Sequence, residues 1–200
     1  MPDAVPTPST ARRGFPARKV VALVLVVVSL GVDLWSKRWM QDRLGMDAAR
    51  PEISDVIEVI PGYFRFQGHW NPGITFGLLP HRTEPILAFT VVACLGLLAA
   101  ILFNTSRSRL LHASLALILG GALGNLHDRW EWQQVRDFLV VYWKSPEIWQ
   151  WPAFNAADSF IVVGVILILW REFFGRRDVP VAAAATAVAA RTPPAPGNAS

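Results

Sequence analysis

Four apolar stretches, residues 20–39, 85–103, 110–126 and 156–174, limit what this chain can fold into. A helix needs roughly 17–25 residues to cross a bilayer, and each stretch reaches that length only with its polar ends counted. One such stretch would suit a buried helix of a soluble domain, but four in 200 residues point to a polytopic membrane protein. Composition agrees, with 52% hydrophobic and 17% charged residues.

Basic residues set the expected orientation. Arg12, Arg13, Arg18 and Lys19 precede the first stretch, Arg107 and Arg109 lie between the second and third, and Arg171, Arg176 and Arg177 follow the fourth. With four spans these segments share one side, and lysine and arginine mark it as cytoplasmic. The net charge of +4 therefore reflects topology, and no nucleic-acid-binding patch is expected. Residues 1–19 and 175–200 read as disordered cytoplasmic tails, the latter rich in Pro, Ala and Thr. The first stretch starts like a secretory signal but is followed by DLWSKRW, which offers no small-residue cleavage site, so it reads as a retained helix. Lone Cys94 reads as a packed small hydrophobe.

The outward segments are about 41–84 and 127–153. The first contains SDVIEVIPGYFRFQGHW, in which β-branched and alternating residues flank Pro61–Gly62, and the second holds VRDFLVVYW. Both predict short strands. Trp143, Trp149 and Trp151 favour the membrane–water interface and place the second segment on the outer leaflet.

Polar residues intrude at one level. Asp33 and Lys37 share a helix face four residues apart and can pair. Counting about 1.5 Å per residue from Lys19 puts Asp33 roughly 20 Å up a span about 30 Å deep. GGALGNLHDRW brings Asn125, Asp128 and Arg129 to the outer end of the third span, behind Gly120, Gly121 and Gly124, which permit close helix approach. FNAAD brings Asn155 and Asp158, three residues apart, to the entry of the fourth. Ionisable residues in spans face the bundle interior or a wet cavity and mark function. Their convergence from three helices predicts a polar pocket at the outer leaflet. His69, His81, His112 and His127 are dispersed, so no metal site is expected; Ser36 and Ser159 lack an obvious Ser–Lys or Ser–His arrangement, although Ser36 beside Lys37 stays open as a minor alternative. His127 points away from the cluster and has no partner in the sequence pattern. Two aspartates sharing a proton could activate water, but the spacing does not choose a pair among Asp33, Asp128, Asp137 and Asp158.

In order, D33xxxK37, N71xG73xxF76, G120GxxG124NxxD128R129, VxD137F and F154NxAD158 resemble the lipoprotein signal peptidase (signal peptidase II) family across residues 20–174. The resemblance implies an all-α membrane protein of four transmembrane helices with a small extracytoplasmic β-sheet cradle, acting as an intramembrane aspartyl endopeptidase. It implies Asp137 and Asp158 as the catalytic dyad, and Asn71, Gly73, Asn125, Arg129 and Asn155 as substrate-binding or site-ordering residues. Asp33, Lys37 and Asp128 would support the site. It further implies a lipidated prolipoprotein substrate cleaved before its diacylglyceryl cysteine, no metal or organic cofactor, and a monomer in the bacterial inner membrane with both termini cytoplasmic. Arg136 departs from the family, where an apolar residue is common; in an extended segment it would point away from Asp137. The connection from Asp137 to Asp158 is slightly long. Two other functions fit intramembrane carboxylates: a proton-coupled carrier, and a non-catalytic assembly protein whose polar residues join helices.

Overall fold

The computed structural model describes residues 16–51, 54–73 and 83–174. Residues 1–15 and 175–200 of the expected tails, and Phe76, lie outside these residues, whereas Ala17, Arg18 and Lys19, expected in the N-terminal tail, form the start of α1. Eight elements follow in order: α1 (Ala17–Leu44), β1 (Val56–Ile60), β2 (Phe64–Asn71), α2 (Thr83–Phe103), α3 (Arg109–Trp132), β3 (Val135–Trp143), β4 (Ser145–Gln150) and α4 (Ala156–Phe174). The fold is mostly helical. By length and composition α1, α2 from Glu84, and α3 can cross a membrane. The 19 residues of α4 include Asp158, Arg171 and Glu172, and on those grounds it does not join them.

The helices are inside out relative to a soluble bundle. On α1 the buried face is Ala22, Val26, Ser29, Asp33, Lys37, Met40 and Leu44, spaced at three and four residues. Val21, Val24, Val27 and Val28 of the same helix are exposed. Only a hydrocarbon solvent makes that arrangement favourable, because buried ionisable groups are then paired and exposed valines cost nothing.

Helix α3 lies at the centre, and its glycines explain why. A methyl at Gly120 would meet Ser29 Oγ of α1 at 1.9 Å, and one at Gly124 would meet Asp33 Oδ2 at 2.1 Å. On the adjacent face a methyl at Gly121 would meet the Ala157 carbonyl of α4 at 2.4 Å. Backbones approach where side chains are missing, which is how helices associate without a hydrophobic driving force. The α2 helix joins through an apolar cluster that includes Cys94, Ile101, Leu115, Ala116 and Leu119.

Strands β1 to β4 form an antiparallel sheet in sequence order, β4 attached only through Tyr142–Gln150 and Trp143–Ser145. Both expected strand regions are thus present, and residues 145–150, expected as loop, add a strand. The third span runs on to Trp132, six residues beyond the apolar stretch, because Asp128 and Arg129 find partners inside the fold. Between β2 and β3 the register shifts by one residue, from Phe66 opposite Leu139 to His69 opposite Asp137. The chain then leaves β3, makes the β4 excursion and returns. Phe154 closes it: its carbonyl accepts the Leu139 amide at 2.8 Å and its amide reaches the Leu139 carbonyl at 3.1 Å. That bridge places the start of α4 beside Asp137.

Candidate active site

Asp137 is the third residue of β3 and is 2% exposed. Asn71, at the end of β2, donates Nδ2 to Asp137 Oδ2 at 3.0 Å, and its Oδ1 accepts the Gly73 amide at 3.0 Å. Asn155 donates Nδ2 to Asp137 Oδ1 at 2.7 Å. The same amide lies 3.1 Å from Asn125 Oδ1 and 3.3 Å from the Arg136 carbonyl, so it shares two hydrogens among three acceptors.

Asp158 is tied differently. It is the third residue of α4, and Asn155 precedes the helix. The Asp158 amide donates to Asn155 Oδ1 at 3.0 Å, while the Asn155 amide donates to Asp158 Oδ2 at 3.1 Å. This is a capping box, in which cap and third residue satisfy each other's exposed amides. The other oxygen, Asp158 Oδ1, accepts Asn125 Nδ2 at 2.8 Å. A carboxylate in the first helical turn also lies at the positive end of the helix dipole.

Beneath the two carboxyls lies a buried quartet of charges. Lys37 Nζ donates to Asn125 Oδ1 at 2.9 Å and pairs with Asp33 Oδ2 at 2.8 Å and Asp128 Oδ2 at 3.4 Å. Asp33 Oδ1 in turn accepts the Ala157 amide at 2.9 Å, taking a further orphan donor of α4. Asp128 is gripped by Arg136 through its backbone amide at 3.0 Å, Nε at 3.3 Å and Nη2 at 2.6 Å. Arg136 Nη1 reaches Gln41 Oε1 at 2.8 Å. Two acids and two bases therefore cancel. Arg129 donates Nη2 to the Gly73 carbonyl at 2.9 Å and feels the charges of Asp158, Asp137 and Asp128.

Burial, then the negative charge of Asp158, hold the Asp137 carboxyl well above the usual carboxylate range, at about 8. The hydrogen bond from Asn71, the Lys37 charge and the bond from Asn155 pull the other way and do not cancel it. Both oxygens of each carboxyl accept a hydrogen bond, those of Asp137 from the Asn71 and Asn155 side chains and those of Asp158 from the Asn125 side chain and the Asn155 backbone amide.

All ten site residues singled out in the sequence fall in this one network. Arg136 points away from Asp137 by strand alternation, as expected, but its clamp on Asp128 was not foreseen; nor was Gln41. His127 is half-exposed, 3.7 Å from both Asp128 Oδ1 and Glu131 Oε2, at the edge of the cluster. Among the described residues no group of three or more His, Cys, Asp or Glu side chains is placed to hold a metal ion.

Comparison with known proteins places this geometry. A family model described as signal peptidase (SPase) II matches residues 25–174. A lipoprotein signal peptidase of Rhodopirellula baltica is 36% identical over 184 residues, covering 84% of this chain and 80% of that protein. One from Moorella thermoacetica is 37% identical over 149 residues, covering 74% and 90% respectively. A solved structure described as a bacterial membrane enzyme shares the fold with a TM-score of 0.65 at 24% identity, over 80% of this chain and 93% of that one.

Proposed function

The chain belongs to the signal peptidase II family, and from that premise we propose that it is an intramembrane aspartyl endopeptidase that removes signal peptides from lipidated prolipoproteins. Asp137 and Asp158 are its catalytic pair. The observation that carries this is Asn155, which bonds Asp137 through its side chain and Asp158 through its backbone and so holds both carboxyls around one point.

The charges support a single proton on the pair. With the Asp33–Lys37–Asp128–Arg136 quartet neutral, Arg129 balances one carboxylate and the second needs a proton. Asp158 is the base that takes a proton from water. Asp137 keeps its proton and hydrogen-bonds the scissile carbonyl oxygen, so that negative charge forming there is met by a donor. Attack of water gives the tetrahedral intermediate with the proton on Asp158. Its collapse breaks the C–N bond, and that proton passes to the departing amine.

In this reading α4 is the fourth span, residues 1–16 and 175–200 are cytoplasmic tails, and the sheet lies on the outer face of the bacterial inner membrane. A bond tethered by a diacylglyceryl cysteine would arrive at that depth, and cleavage falls just before the cysteine. Gel-shift cleavage of a lipidated prolipoprotein by wild type, Asp137→Asn and Asp158→Asn tests the proposal. Each variant is expected to insert and fold but to lose about 10²–10⁴-fold in rate; near-normal cleavage by either would remove that residue from the pair.

A further inference from the structure

His69 is used by none of the chemistry above, yet it stands directly opposite Asp137 in the β2–β3 register. Residues directly opposite in an antiparallel pair project to one face, and Asn71, two residues further along β2, sits on that face too and bonds Asp137. The one-residue shift between Phe66 and His69 is what brings the imidazole into line with the carboxyl. Along the same face, away from the helices, come Leu139 and its partner Phe66. Among the described residues, His69 Nε2 is buried and has no hydrogen-bond partner. A buried polar atom left unpaired is costly, so a ligand that pairs it gains that cost back. Burial, then the charge of Arg65, hold the imidazole below its ordinary range, so it is neutral at neutral pH, with one ring nitrogen a donor and the other an acceptor.

We propose that His69 is a substrate-positioning residue whose Nε2 hydrogen-bonds the polypeptide backbone of the residues that follow the cysteine. This rests on the peptidase reading and assigns one half of the substrate to one face of the sheet. An apolar signal sequence suits the helices and the lipid around them. The polar chain after the cysteine must leave the bilayer, and β3 carries the face bearing Asp137, His69 and Leu139 in that direction from the end of α3. A peptide lying along it passes His69 immediately after the dyad.

The test uses steady-state cleavage of two lipidated substrates, one extending about ten residues past the cysteine and one ending directly after it. On the long substrate His69→Phe and His69→Ala are expected to raise KM about five- to tenfold, the size of one hydrogen bond, with kcat within about twofold. His69→Gln, which keeps an amide near the Nε2 position, should restore most of the affinity. On the short substrate all four proteins should share one KM. Reading alanine beside phenylalanine separates lost bonding from added bulk, and thermal denaturation in detergent checks that each variant folds. An unchanged KM on the long substrate, or an equal rise on both, overturns the assignment. Failure of the wild type to cleave any lipidated substrate would instead overturn the peptidase reading itself.

Discussion

Asn155 and Asp158 close the first turn of α4 on each other, each accepting the other's backbone amide, while the Asn155 side-chain amide reaches across to Asp137. One asparagine therefore caps a helix with its oxygen and orders the active site with its nitrogen. The two duties can be separated. Asn155→Ala loses both, and a lost cap costs about 1 kcal/mol. Asn155→Ser keeps a hydroxyl oxygen for the Asp158 amide but has nothing to offer Asp137. Thermal denaturation should rank serine near wild type and alanine below it, whereas cleavage should be impaired in both.

The Asp137 proton predicts an alkaline limit. As pH rises through about 8 the carboxyl ionises, the donor to the scissile carbonyl is lost, and kcat should fall. Stability should fall earlier, from the ordinary carboxylate range up to about 8. The folded chain holds this proton more tightly than the unfolded chain, so its contribution is complete below the ordinary carboxylate range and vanishes as pH passes about 8. Asp137→Asn cannot titrate there, so its melting temperature should decline less as pH is raised from the ordinary carboxylate range to about 8. Parallel curves for the two proteins would contradict the raised pKa.

Arg136 makes a stability prediction. Replacing it by methionine leaves Asp128 buried with Lys37, already shared with Asp33, as the remaining lysine or arginine in ion-pair contact among the described residues. Breaking a buried pair from one side costs about 3–5 kcal/mol. Lysine should recover only part, because it cannot reproduce the fork of contacts at Nε and Nη2. Denaturation in detergent would show the order Arg, Lys, Met.

Gly124→Ala should be more damaging than its single methyl suggests. The new Cβ would sit 2.1 Å from Asp33 Oδ2, the oxygen that pairs with Lys37. Separating α1 from α3 to relieve this also strains the Asp33 bond to Ala157 at the start of α4. Overpacking costs about 1–3 kcal/mol, and lost cleavage should accompany it. Gly96→Ala, with nothing within 4 Å of its Cβ position, is the control.

Much of this was readable in the residues. Alternating apolar and polar blocks located α1, α2 and α3, and depth counting brought Asp33, Asn125, Asp128, Arg129 and Asp158 to one level before any contact was known. FNAAD carries the capping-box spacing with Asn and Asp in the usual Ser and Glu positions, a signal present but overlooked. Strand alternation turned Arg136 away from Asp137, but its partner Asp128 lies across a turn whose geometry depends on Gln133 taking a left-handed conformation, φ 59°. His69 was least legible. Its place beside Asp137 depends on a one-residue shift in strand register, which periodicity in either strand alone does not reveal.

The bridge between Leu139 and Phe154 has a consequence for how this enzyme family can vary. The excursion from Val140 to Ala153 starts and ends at a clasp of two residues whose amides and carbonyls exchange bonds, and its first residues, Val140 and Val141, stay paired with β2. The clasp, and not the contour length of that excursion, sets the separation of β3 from α4. The hairpin can therefore grow or shrink without either carboxyl changing position. The tip of that hairpin is an ornament on a fixed frame, and it marks the natural place to graft a reporter or an affinity handle.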